Sequence, residues 1–320
     1  MADTASVPEL LAIFGPTGVG KTAVAIAVAE RLRERGEDPV AISADALQVY
    51  DGLPVLTGAA TAQERATLEH RLVGVLPLGE SCTAGRYAQL AHAEIDSALA
   101  AGRRPIVVGG TGLYLRAALA TLDLRPPPDP EIRARWTVEL TLQGAPALHR
   151  LLTRRAPEAA ARIDANDAQR VVRALELLDA GFEPPAGEQL WTEDTRHPTR
   201  LIGLTMEREA LNVRIERRVD EMFERGVEDE VRGAERRGAS AGARQAVGYA
   251  EVLAGDPAAM KTRTRRYAKR QLAWMRKLPG VTLLDATGRT PDDVAAEVLL
   301  ASLDSGSTPG RAPPRTSGPA

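Results

Sequence analysis

Residues 15–22 read Gly15-Pro16-Thr17-Gly18-Val19-Gly20-Lys21-Thr22. The apolar run Leu10-Leu11-Ala12-Ile13-Phe14 precedes them, and the alanine-rich segment Ala23 to Arg33 follows. Strand, glycine loop and helix in that order turn G-x-x-x-x-G-K-[ST] into a phosphate cradle. The glycines let successive backbone N–H groups face inward, and the helix N-terminus adds its positive dipole end. Lys21 reaches a terminal phosphate as a point charge, and the Thr22 hydroxyl is placed to bind Mg²⁺. A polyphosphate or diphosphate ligand is the expectation. Kinases, nucleotide hydrolases and some group transferases share this loop, so the reaction has to be read from the other parts of the site.

With 320 residues and 44% hydrophobic content, the chain can bury a full core and carry more than one folding unit. A net charge of −2 excludes a wholly basic nucleic-acid protein while leaving room for a local basic face. The single cysteine, Cys82, excludes a disulfide framework and a cysteine zinc site, and it suits a reducing cytoplasm. No run approaches the roughly 20 apolar residues of a membrane span, and Met1 to Glu9 lacks the basic and apolar regions of a signal peptide. A soluble, cytoplasmic protein with no membrane partner is expected.

The apolar stretch Val40 to Ala44 reads as a second buried strand, ending in Asp45-Ala46-Leu47-Gln48-Val49-Tyr50. Ligands of open parallel sheets lie beyond the carboxyl ends of the strands, so Asp45 should share a crevice with Lys21. A carboxylate there can hold Mg²⁺ through water or act as a general base; a helix N-cap is the alternative. Residues 51–62 read as a loop crossing the crevice, and His70 as structural or RNA-facing. A helix is predicted over 82–101, with Tyr87, Leu90, Ile95 and Leu99 on one face. Arg104 to Val108 then forms a third strand, followed by the turn Gly109-Gly110-Thr111-Gly112, whose glycines permit close approach to a ligand.

The texture changes at Leu124. Arg125-Pro126-Pro127-Pro128-Asp129-Pro130 reads as a connector, residues 131–180 as helices, and Phe182 to Pro198 as a loop back to the strand Arg200 to Met206. The predicted class is α/β: a P-loop parallel sheet flanked by helices (1–124 and 198–303), interrupted by an all-helical insertion (125–197). The tail 304–320 is expected to be disordered. A helix from Glu209 to Gly226 starts beside the crevice, where an arginine can stabilise a leaving phosphate. From Lys261 to Lys277, eight of seventeen residues are basic, interleaved with Tyr267 and Trp274. That is the footprint of a surface for a phosphate backbone; a solvated helix face is the alternative.

Taken together, the motifs resemble one family. They are the glycine loop, Ser43-Ala44-Asp45-x-x-Gln48-Val49-Tyr50, Gly109-Gly110-Thr111-x-Leu113-Tyr114 and Asp167-x-Gln169-Arg170-x-x-Arg173-Ala174-Leu175-Glu176. Arg214-Ile215-x-x-Arg218-Val219-x-x-Met222, Val247-Gly248-Tyr249 and Lys269-Arg270-Gln271-Leu272-x-Trp274 follow. In order and spacing they resemble the bacterial tRNA dimethylallyltransferases, over about residues 10–285. The resemblance implies transfer of a dimethylallyl group from dimethylallyl diphosphate to N6 of adenosine 37 in the tRNA anticodon stem-loop; a monomer is the expectation, which the sequence itself leaves open. It implies a diphosphate held with Mg²⁺ in the glycine loop, without nucleotide hydrolysis. By the same resemblance Asp45 is the base, and Thr111, Arg133 and Arg218 are catalytic-site positions. Asp45, Ala46, Leu47 and Gln48 receive the base, and Gln169, Arg170 and Arg173 reach the RNA from the insertion. Arg244, Gln245, Gly248, Tyr249, Lys269, Arg270, Gln271, Trp274 and Arg276 line the RNA channel. The chain departs from the family at Ala46, where a serine is usual. It departs again at Leu56-Thr57-Gly58-Ala59-Ala60, which stands for Gly-Thr-Ala-Lys-Pro and lacks the lysine. A small-molecule kinase would leave the basic segment idle, a prenyltransferase of free adenine nucleotides would not need the insertion, and an RNA-binding module without catalysis would need neither Lys21 nor Asp45.

Overall fold

Five consecutive apolar residues buried on both faces can be satisfied only inside a covered sheet, and Leu10–Phe14 forms such a strand, β1. The computed structural model describes residues 10–127, 129–185 and 189–303. The expectations for Met1 to Glu9 and for the tail 304–320 lie outside the described residues. Around β1 stand β2 (Pro39–Ala44), β3 (His70–Arg71), β4 (Arg104–Gly109), β5 (Thr199–Thr205) and β6 (Thr282–Asp285). They form one sheet in the order β3-β2-β4-β1-β5-β6, every pair parallel. Alternation along β1 divides the core. Leu10, Ala12 and Phe14 join one buried cluster, and Leu11 and Ile13 the other.

Helices fill both faces. α1 (Lys21–Glu34) follows the glycine loop, α2 (Pro54–Thr57) and α3 (Ala62–Thr67) follow β2, and α4 (Ala84–Ala100) and α5 (Gly112–Leu119) flank β4. The stretch expected as a loop over 51–62 thus contains α2 and the start of α3. The two-residue β3 was not expected at all; His70 pairs with Ala41 as a short sheet edge. The insertion region holds α6 (Pro130–Gln143), α7 (Ala145–Arg155), α8 (Pro157–Ala161) and α9 (Ala168–Asp179). Asp129 and Asp167 cap the first and last of these through their side chains. These helices share their own hydrophobic cluster, which includes Trp136, Leu148, Leu152, Val171 and Leu175.

After β5 come α10 (Arg208–Glu224), α11 (Val227–Arg236), α12 (Tyr249–Leu253), α13 (Pro257–Met275) and α14 (Pro291–Leu303). The return segment before β5 is tied to the core at two points. Buried Arg116 of α5 donates to the Gln189 and Asp194 carbonyls and to the Thr192 hydroxyl. Trp191 packs on Trp274 of α13, ring centroids 4.7 Å apart. The same indole of Trp274 covers Gly112, where a Cβ would overlap its ring. Gly112→Ala should therefore overpack this junction and lower stability by about 1–3 kcal/mol, read as a lower urea midpoint with an unchanged m-value.

Candidate active site

Backbone pairing brings three chain segments to one edge. Phe14 and Ala44 both pair with Gly109, so Gly15, Asp45 and Gly110 leave the sheet side by side. In the glycine loop, Gly18 (φ 85°) and Gly20 (φ 99°) hold the left-handed conformation, and Gly20 caps α1. Only glycine adopts such angles without strain, and the turn aims the loop amides and Lys21 inward. The Lys21 ammonium donates to the Gly15 and Pro16 carbonyls, at 3.0 Å each. Burial pulls its pKa down to about 8, Asp45 opposing the fall and Arg218 adding to it.

Asp45 stands at the end of β2, and its Oδ1 accepts the Leu47 N–H at 2.9 Å. It caps a turn, not a helix. Arg218, from the face of α10 that meets the cavity, lies against Gly58 and feels the Asp45 charge; burial lowers its pKa and Asp45 raises it. Among the described residues its guanidinium makes no hydrogen bond or ion pair. On the other side the Thr111 and Tyr267 hydroxyls lie 3.3 Å apart. Burial, then the Asp45 charge, pushes Tyr267 up to about 12, so it stays a neutral phenol near neutral pH.

The space between these groups is a cavity of about 340 Å³. Lys21, Thr22, Asp45 and Arg218 line it together with apolar groups that include Leu56, Val219 and Met222. Gln271 of α13 braces its floor: Oε1 accepts the Thr17 N–H at 2.8 Å and Nε2 donates to the Gly110 carbonyl at 2.7 Å. Among the described residues no three His, Cys, Asp or Glu side chains cluster as a metal site. A hard cation would have the Thr22 hydroxyl and the oxygens of a bound diphosphate, the mixed donor set that Mg²⁺ commonly takes in phosphate sites. The residues present fit that use.

The other expected residues divide by position. Arg133 does not line the cavity. It pairs with Glu176, which is 1% exposed, and Arg173 joins the same carboxylate from one turn earlier on α9. Gln169 and Arg170 are exposed on the first turn of α9. Ala46, Leu47 and Gln48 are half-buried beside Asp45. Arg244 is exposed and pairs with Glu235 at 3.0 Å, and Gln245 is exposed, whereas Gly248 and Tyr249 are buried. On α13 Lys269 and Arg270 are exposed, as is Arg276 just beyond it; Gln271 is buried and Trp274 half-buried. Of the residues expected to line an RNA channel here, the cations and Gln245 are accessible, while Gln271, Tyr249 and Gly248 are buried. Glu230, behind the wall at Gly58, carried no motif signal, because its role comes from a pairing distant in sequence; Tyr267 and the 56–60 loop were visible only as part of a basic stretch and as a family-like loop.

Fold and site define a parallel α/β protein in which a glycine loop and a strand-end carboxylate face each other across a partly apolar cavity. The IPP transferase family pattern matches residues 48–278. The tRNA dimethylallyltransferase of Thermobifida fusca is 41% identical over 283 residues, 85% of this chain and 88% of that protein. Its counterpart in Anaeromyxobacter sp. strain Fw109-5 is 43% identical over 302 residues, 91% of this chain and 98% of that protein. The solved full-length tRNA isopentenylpyrophosphate transferase of Bacillus halodurans superposes with a TM-score of 0.66 at 34% identity, covering 93% of this chain and 96% of that one. A eukaryotic dimethylallyltransferase solved acting on tRNA gives 0.71 at 26% identity, covering 92% and 78%. The chain belongs to the IPP transferase family.

The depressed Lys21 pKa has a measurable sign. A bound anion raises that pKa, so adding diphosphate should drive proton uptake near pH 8, with the Lys21 share of affinity full below pH 8 and lost as the pH rises through the higher pKa of the complex. Calorimetry in buffers of different ionisation heat should show this uptake in the wild type, and Lys21→Met should abolish it.

Proposed function

We propose that the protein transfers the dimethylallyl group of dimethylallyl diphosphate to N6 of adenosine 37 in tRNA, releasing diphosphate, in the cytoplasm where its tRNA resides. The observation that carries this reading is the sharing of one cavity by Lys21, Asp45 and Arg218, from three separate elements, beside an apolar wall, in a chain whose relatives include tRNA dimethylallyltransferases. Diphosphate is matched by the loop amides, Lys21 and Arg218. The branched hydrocarbon is matched by Leu56, Val219 and Met222.

In the transfer step the N6 lone pair forms a bond to the allylic carbon, the carbon–oxygen bond breaks, and its electron pair leaves with the diphosphate. Negative charge grows on the departing oxygens as the carbon becomes cation-like, so Lys21 and Arg218 interact more strongly with the transition state than with the substrate. Mg²⁺ bound with the Thr22 hydroxyl would neutralise further charge on the diphosphate. Asp45 accepts the N6 proton, with its carboxylate orientation fixed by the Leu47 N–H. Thr111 does not itself line the cavity; its hydroxyl meets that of Tyr267, which does.

Adenosine in a hairpin loop is stacked, so it must be extruded to reach a cavity of this depth, and single-stranded loops are where bases can be splayed out. The charge on α13 is divided in a way that suits a backbone contact. Lys261, Arg263 and Arg265 are taken up by Asp220, Glu251 and Glu216. Lys269 and Arg270 are exposed, with Arg270 5.6 Å above the Tyr267 ring. Arg133 and Arg173, joined through Glu176, offer further charge from the insertion helices.

The direct test is to incubate the enzyme with radiolabelled dimethylallyl diphosphate and either tRNA or AMP. Label should enter tRNA alone; label in AMP, or in neither, overturns the reading. Asp45→Asn removes the base but keeps its shape, so kcat should fall by about 10²–10⁴ while tRNA binding stays within a few-fold. Retention of more than about a tenth of wild-type kcat would take the base role from Asp45. Lys269→Glu with Arg270→Glu should lower the slope of log K against log salt for tRNA by about 1.5, since each phosphate contact contributes roughly 0.7–0.9. Diphosphate affinity should be unchanged in that variant, and a wild-type slope would move the RNA path off α13.

A further inference from the structure

The segment 52–58 supplies part of the cavity wall and is gripped from two directions. Glu230 of α11 accepts the Val55 N–H through Oε2 and the Leu56 N–H through Oε1, both at 2.8 Å. Arg237, seven residues on and just past the helix end, donates to the Gly52 carbonyl at 3.2 Å. From the opposite side Gln48 Nε2 reaches the Thr57 and Gly58 carbonyls, at 3.4 Å each, while its Oε1 accepts the Ser43 hydroxyl at 2.9 Å. α2 is four residues long and begins at Pro54, so the Val55 and Leu56 N–H groups have no partner within the helix. One carboxylate satisfies both.

The consequence reaches Arg218. Gly58 ends α2 in the left-handed conformation (φ 58°, ψ 46°), and the guanidinium lies flush on its bare Cα; a Cβ there would overlap Nη2. Because Arg218 makes no hydrogen bond or ion pair with any described residue, this wall is what fixes the height of its charge above the glycine loop. Glu230 does not line the cavity.

We propose that Glu230 is a positioning residue for prenyl transfer: by holding the 52–58 segment it sets the Gly58 surface that aims the Arg218 guanidinium at the departing diphosphate. This rests on the role given to Arg218 above. Replacing Glu230 by Gln puts an amide donor against one of two N–H groups that both need acceptors, so the segment shifts while the helix-side packing keeps its volume.

The test is a double-mutant cycle on kcat and on KM for dimethylallyl diphosphate, at saturating tRNA, with Glu230→Gln, Arg218→Gln and the pair. Glu230→Gln should lower kcat about 10–100-fold with KM within about threefold, because the misplaced charge is one that acts mainly in the transition state. In the Arg218→Gln background the same change should cost less than about threefold. An equal loss in both backgrounds, as a general loosening of the fold would give, overturns the proposal, and so does an unchanged kcat. If Glu230→Gln does not fold, Gly58→Ala displaces the guanidinium from the opposite side and must show the same non-additivity; equal losses with and without Arg218 overturn the proposal there too. Arg218→Gln at wild-type rate would remove the role of Arg218 and this proposal with it. A loss in Arg218→Gln with a fully additive Glu230→Gln loss removes the positioning role alone.

Discussion

In a sheet whose every ladder is parallel, all strands deliver their carboxyl ends to one edge, and the register decides which residues meet there. Gly109 pairs with Phe14 on one side and Ala44 on the other, so the residues that follow these three are forced into one small volume. The glycine loop, Asp45 and the Gly110-Thr111 turn are neighbours for that reason alone. The site depends on this register more than on any contact inside it. A slip of one residue would turn Leu11 and Ile13 toward the wrong face and separate Lys21 from Asp45 in the same movement.

Helix α13 locks the arrangement from above. Gln271 spends its amide on the glycine loop and on β4's turn, Tyr267 meets Thr111, and Trp274 packs on Phe14 and Gly112. The exposed side of the same helix carries Lys269, and Arg270 stands at the border between the two faces, over the Tyr267 ring. One rigid element thus braces the glycine loop with its inner side and leaves cations exposed at its rim, which fixes the place of those charges relative to the cavity.

The sequence was legible where a local rule operates. Short, wholly apolar runs identify β1, β2, β4 and β5, because a strand covered on both faces needs no alternation. The glycine loop and Asp45 follow from strand ends in a parallel sheet, and the helical stretch around 131–180 from its pattern; the Asp129 cap on α6, within the stretch read as a connector, was not legible. β3 was not legible: His70 and Arg71 are polar and join the sheet only because Ala41 and Ile42 offer them a free edge. α2 was read as loop because a four-residue helix starting on Pro54 has no local support; its stabilising carboxylate, Glu230, lies more than 170 residues away. Gln271 and Tyr249 sit in motifs read for RNA contact, yet their side chains are buried in the folded chain. A motif records that a residue is needed, and burial decides on which side of the helix the need lies.

The enclosed Lys21 has a chemical consequence of its own. With a pKa near 8, about half of the unliganded molecules at that pH carry a free amine there, whereas an ordinary lysine is neutral in well under one molecule in a hundred. A neutral amine is a nucleophile and an ammonium is not. Small acylating reagents at mildly alkaline pH should therefore favour this side chain over ordinary lysines, in the cavity it shares with Asp45 and Arg218. Its labelling rate becomes a direct optical or mass-spectrometric gauge of whether that site is filled.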